Sequence, residues 1–153
     1  VEIEGVIEMF RTEILAGSFN VAAVFADETG CDWAYSVGLD RNFQHPELLL
    51  VGLDASLAGA VIEVLGKQVS GGRLLMPGDN VQIEGCICLQ VREVDLLWLA
   101  RSEVFELGRA VMGSWGERWP ETLQLVQADT RGGFPTVAGT LGCSPRQSVL
   151  MLN

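Results

Sequence analysis

Hydrophobic and polar positions follow two different periods along this chain, and the switches between them mark nine segments. Ile3, Ile7, Phe10 and Ile14 share one stripe of a helix, with Glu4, Glu8, Arg11 and Glu13 off it. This predicts an amphipathic helix over residues 2–15, ended by Gly17 and Ser18. Asn20–Asp27 reads as a strand, and the stretch DETG after it has turn chemistry. In CDWAYSVGL, Cys31, Trp33, Tyr35, Val37 and Leu39 alternate with Asp32, Ala34, Ser36 and Gly38. The bulky face fits a core. The small face admits a close neighbour, either a packed helix or a bound ligand.

Glu47–Leu53 is almost continuously apolar, the pattern of a central strand covered on both faces. Asp54 is placed to cap a helix over residues 55–69, whose buried stripe is Leu57, Val61, Val64 and Leu65. Val81–Val94 alternates so regularly that it reads as one long strand, bent or bulged at Gly85. A helix over about 96–112 follows, capped by Asp95. A loop then carries Trp115 and Trp119. After it come a strand at Thr122–Asp129, a turn at Thr130–Pro135 and a closing strand at Arg146–Leu152. The order α β β β α β α β β, without repeat or linker, predicts one domain over residues 1–153. Its expected class is α+β: a bent, mainly antiparallel sheet or small split barrel with three helices packed outside.

Charge narrows the partners. The net charge is −10, and the ten Lys and Arg residues are scattered singly. Such a chain repels phosphate backbones and anionic lipid, so neither nucleic acid nor membrane is an expected partner. No apolar run approaches the roughly 20 residues of a spanning helix. The acidic, amphipathic start lacks the basic and apolar regions of a signal peptide, so the expected location is cytoplasmic. Cys31, Cys86, Cys88 and Cys143 are accordingly expected as free thiols, and their spacing does not make a zinc set.

Candidate chemistry is sparse. His45, the only histidine, precedes Pro46 and is expected in extended backbone at a strand start. It could serve as a base or donor at the lip of a ligand site, or simply hydrogen-bond nearby backbone. Glu47 is its nearest acidic neighbour. Ser36 lacks the G-x-S-x-G setting of a hydrolase nucleophile. Tyr35 is the only tyrosine and suits a core aromatic with its hydroxyl reaching a surface. Cys86 and Cys88 sit beside Glu84 and Gln90, a poor setting for a reactive thiolate. Asp129 and Arg131 occupy a glycine-rich turn where the arginine could meet an anionic ligand. Trp115 and Trp119 mark either a partner surface or additional core.

The words YSVGL, HPELLLVGL, LQLVQAD and GGFP, in that order, resemble a bacterial family known as domain of unknown function 4262. The resemblance runs from about Asn20 to Leu150. Its matching positions include Tyr35, Ser36, Gly38, Leu39, His45, Pro46, Glu47, Gln124, Asp129, Gly132, Phe134, Pro135 and Gln147. This chain departs from the family pattern at Gln127-Ala128, Thr136 and Ser148. The resemblance implies a fold and a site position but no reaction. A looser likeness to flavin-reductase split barrels adds flavin as a candidate cofactor. The expected function is binding of a small aromatic or nucleotide-like ligand near the His45 loop, through Tyr35, Ser36, His45, Asp129 and Arg131. The alternative is a non-catalytic interaction domain that uses the tryptophan loop or a homodimer surface.

Overall fold

A computed structural model describes residues 3–25, 32–83, 87–94 and 103–127. Six strands form one open sheet: β1 (Asn20–Val24), β2 (Trp33–Val37), β3 (Glu47–Val51), β4 (Asn80–Ile83), β5 (Ile87–Glu93) and β6 (Thr122–Gln127). Their spatial order is β1-β2-β3-β6-β5-β4. Every neighbouring pair is antiparallel except β3 with β6, which run parallel. The class is therefore α+β with a mainly antiparallel sheet. The described strands stay open, with β1 and β4 at the two edges, and do not close into a barrel.

Both faces of the sheet are covered, which is why β3 is buried at every position. Helix α3 (Ala55–Ser70) packs on one face. There Ala34, Leu48, Leu50, Leu123, Leu125, Leu89 and Val91 meet Ala58, Val61, Ile62 and Leu65. The small face of β2 thus receives a helix. The opposite face gathers Ala22, Tyr35, Val37, Leu49 and Val51 under α1 (Ile3–Leu15) and α4 (Glu106–Gly113). Asp54 caps α3 as its position implies, accepting the N–H groups of Ser56 and Leu57.

Two sequence expectations change. Val81–Val94 is not one bent strand but the hairpin β4–β5, with Ile83 opposite Ile87. Three residues separate the paired isoleucines. Odd positions therefore stay on one face through the reversal, and alternation cannot tell a bend from a hairpin. A fourth helix, α2 (Leu39–Phe43), occupies part of the loop before His45. Its five residues are too few to show a helical period. Of the helix predicted over 96–112, residues 96–102 lie outside the described residues, and the rest is a 3₁₀ turn at Glu103–Phe105 leading into α4. The turn at Thr130–Pro135 and the strand at Arg146–Leu152 lie outside the described residues.

Candidate functional site

The β2–β3 ladder runs from Trp33↔Val51 to Tyr35↔Leu49. Past that point side chains tie the strands together. The Leu48 N–H donates to Ser36 Oγ at 2.8 Å, and Ser36 Oγ donates to Glu47 Oε1 at 2.7 Å. Glu47 Oε1 also accepts from Leu39 N at 3.1 Å. Its Oε2 accepts from Gly38 N at 2.9 Å and Asp40 N at 3.2 Å. The carboxylate therefore caps α2 from a distant strand, filling donors that a helix start leaves open. Gly38 takes φ 113°, and a Cβ there would lie 3.0 Å from Ile14 Cγ1. Only glycine fits that turn from β2 into α2, packed against α1. Glu47 is fully buried, and burial pushes its carboxyl up to about 7 against the pull of these donors.

His45 is also buried, and both ring nitrogens are engaged. Leu75 N donates to Nε2 at 2.9 Å, and Nδ1 lies 2.8 Å from the Pro46 carbonyl oxygen. Since Nε2 accepts, the ring proton belongs on Nδ1, where it donates to Pro46. The imidazole links the entry of β3 to the segment after α3. Of the two readings of His45, the structure displays the backbone-bonded one. Glu47 orients α2 and Ser36; His45 is not among its hydrogen-bond partners here. Replacing His45 by alanine leaves the buried Leu75 N–H without an acceptor. It is expected to cost about 2–3 kcal/mol in urea unfolding.

Tyr35 projects to the other face of β2, away from Ser36. Its ring meets Phe105 and Trp119 edge-on, with centroids 5.2 and 5.5 Å away, while Phe105 and Trp119 stack at 4.9 Å. Its hydroxyl oxygen accepts the Gly108 N–H at 3.0 Å in the first turn of α4. Gly108 is required, since a methyl group there would overlap the Trp119 ring. Burial pushes the phenol up to about 12. Both loop tryptophans are partly buried and pack against the core on this face of the sheet. Trp119 Nε1 donates to Thr122 Oγ1, and Trp115 lies under the Arg41 guanidinium, which is 4.3 Å from its ring centre and paired with Glu117.

Tyr35, Ser36 and His45 are thus placed in three hydrogen-bonded settings inside the fold. Asp129 and Arg131 lie outside the described residues. Cys88 is exposed on β5. Among the described residues, no group of His, Cys, Asp and Glu is placed to hold a metal ion, and no helix is long and apolar enough to cross a membrane.

The open space lies elsewhere. A cleft of about 790 Å³ runs between β1 and α3, bounded by the α1–β1 turn. Phe19, Val21 and Phe43 supply apolar wall, and Ser56, Gly59 and Ala60 keep the α3 side low. Glu13, Glu63 and Lys67 supply charge, with Lys67 Nζ 3.4 Å from Glu63 Oε1. Phe43 is two residues before His45, so the cleft borders the His45 loop. Sequence reasoning missed it because Phe19, Phe43 and Lys67 share no motif; tertiary packing alone brings them together.

A protein-family profile described as "Domain of unknown function (DUF4262)" matches residues 14–141. No curated protein and no solved structure matches the chain.

Proposed function

The chain belongs to the family of domain of unknown function 4262, and because that name carries no activity we propose its function from geometry: a binding domain whose ligand sits between α3 and β1. The cleft carries this reading, since its volume and mixed lining match those of organic-ligand sites. In this reading Ser36, Glu47 and His45 are positioning residues. They hold the loop and α2, and with α2 the Phe43 wall of the cleft.

The lining charge selects the ligand. Glu13 and Glu63 border the cleft with one lining cation among the described residues, Lys67, which pairs with Glu63 and leaves Glu13 as the excess charge. A phosphate-bearing flavin meets repulsion there, while an apolar body with a cationic or donor group is favoured. The two tryptophans of the other candidate surface, Trp115 and Trp119, are partly buried and engaged with Arg41 and Thr122.

The cationic aromatic dye thioflavin T is expected to bind saturably, read by its fluorescence. Flavin mononucleotide is expected to bind at least about tenfold more weakly. Ala60→Trp fills the cleft from an exposed helix position and is expected to abolish dye binding. An unchanged titration in that variant would place the seat elsewhere.

A further inference from the structure

Helix α2 is little more than one turn, set between two left-handed residues, Gly38 at φ 113° and Gln44 at φ 51°. Among the described residues Gln44 is the only non-glycine residue with positive φ. Such backbone is strained and persists only where its surroundings hold it. The holding bonds come from outside the turn. The Glu47 carboxyl accepts the N–H groups of Gly38, Leu39 and Asp40. Asn42 Nδ2 donates to the carbonyl oxygens of Ile14 at 2.8 Å and Ser18 at 2.5 Å. Arg41 pairs with Glu117 and lies over Trp115.

Two of these residues tie α2 to the cleft. Phe43 is part of its wall, and Ser18, held by Asn42, belongs to the α1–β1 turn that bounds it. A displacement of α2 therefore carries the Phe43 wall with it and frees the rim at Ser18.

Glu47 is the tie that can change state. All four groups bonded to its carboxyl are neutral donors, the three N–H groups and the Ser36 hydroxyl, and the carboxyl is fully buried. An ionised Glu47 thus sits in the interior with hydrogen bonds but no counter-charge. The charged and titratable groups around it are engaged elsewhere. The His45 ring is spent on Leu75 N and the Pro46 carbonyl. Asp40 lies in the field of Glu117, which pairs with Arg41. Glu121 offers its carbonyl to Glu47 N and is exposed. On α1 and α3, Glu13 and the Glu63–Lys67 pair line the cleft, and Arg11 pairs with Glu8.

We propose that α2 is a hinged wall of the cleft, held closed while Glu47 is protonated and released when Glu47 ionises and turns to water. This regulation rests on the cleft being the ligand seat. Its direction follows from linkage. In the closed form burial raises the carboxyl from 4.5 to about 7, and in an open form that wets it the value returns toward 4.5. Below pH 4.5 both forms are protonated and closure is fully favoured. As pH rises toward 7 the open form ionises first, and closure loses support. Between pH 6 and pH 8 the opening constant should rise about tenfold.

The first test needs no ligand. Amide hydrogen exchange of the whole chain is followed by nuclear magnetic resonance at pH 6 and pH 8 and corrected for the intrinsic rate at each. The Leu39, Asp40 and Asn42 amides are expected to be less protected than those of α3 at both pH values, and to lose about tenfold in protection at pH 8. Glu47→Gln keeps an acceptor but cannot ionise, and is expected to show no such loss. Thioflavin T is expected to bind the wild type several-fold more weakly at pH 8 than at pH 6, and Glu47→Gln equally at both.

Protection in α2 that ignores pH, or equals that of α3 at both pH values, overturns the hinge, because exchange would then pass through global unfolding. That comparison lies within the wild-type chain and stands even if Glu47→Gln does not fold. A loss that survives in Glu47→Gln assigns it to another group, Asp40 first, and overturns Glu47 as the latch. The expected exchange with unchanged dye affinity overturns the coupling to the cleft. No dye binding at either pH removes the cleft reading and the coupling with it, while exchange still decides the hinge.

Discussion

Glu47→Ala is expected to destabilise the protein by about 4–5 kcal/mol at pH 5, a large share of a domain's usual stability. Removing the carboxylate leaves the N–H groups of Gly38, Leu39 and Asp40 and the Ser36 hydroxyl without their acceptor in a buried setting. Each buried unmet donor costs about 1–3 kcal/mol, and at pH 5 the carboxyl, raised to about 7, is protonated, so no buried charge is relieved by its loss. Ser36→Ala removes one donor to the carboxylate and the acceptor of Leu48 N–H, and should cost about 1–2 kcal/mol.

The same residue sets a pH dependence. Burial raises its carboxyl from 4.5 to about 7, so the folded state holds the proton more tightly than the unfolded one. Below pH 4.5 both states are protonated and that contribution is fully present. As pH rises through the window to about 7 the unfolded chain ionises first, and the stability is lost. The shift corresponds to about 3 kcal/mol. The gap between wild type and Glu47→Ala should therefore narrow by about that amount between pH 5 and pH 8. Urea unfolding at both pH values measures it. Taking the difference cancels other groups, including Asp40, which burial and Glu117 also raise. A gap that widens with pH would show the four donors overcoming burial.

Tyr35→Ala is expected to cost about 3–5 kcal/mol, the usual range for removing a fully buried aromatic ring. The ring is the edge on which the Phe105–Trp119 stack rests, so its loss opens a cavity bounded by β2, α4 and the segment after it. Tyr35→Phe keeps the packing and removes only the acceptor of Gly108 N–H, and should cost about 1–2 kcal/mol. The difference between the two variants separates packing from helix capping. Because this is the chain's only tyrosine, ultraviolet titration reads its phenol alone. No tyrosinate is expected until the pH nears about 12. Ionisation near pH 10 in the folded protein would mean that the hydroxyl is wet, and the packing account of Tyr35 would fall.

The words YSVGL and HPEL, separate in the sequence, form one hydrogen-bonded unit in space. Ser36 and Glu47 bond directly, and Gly38 and Leu39 donate to Glu47. Reading along the chain gave Glu47 only as the nearest acidic neighbour of His45. A first-position strand residue can turn its side chain past the end of the ladder, and only the positions of β2 and α2 show where it goes. Tyr35 was legible as a core aromatic, because alternation in β2 puts it on the bulky face. Its role as the cap of α4 was not, since Gly108 lies 73 residues away.

Local periodicity was enough to determine α1, α3 with its Asp54 cap, the strands β1, β2 and β3, the doubly buried β3 and the α+β class. In each, one backbone period holds over enough residues to exclude the other, although Ile3 of the α1 stripe and Leu57 and Val64 of the α3 stripe, read as core, are exposed. Tertiary structure alone decided the rest. It split Val81–Ile83 and Ile87–Val94 into paired strands, because a reversal spanning an odd number of residues preserves alternation. It ran β3 parallel to β6, because strand partnership between distant segments leaves no mark on either strand's own pattern. It placed a cleft between α3 and the β1 edge, because a cleft is the space that packing leaves between elements, and no single segment encodes it.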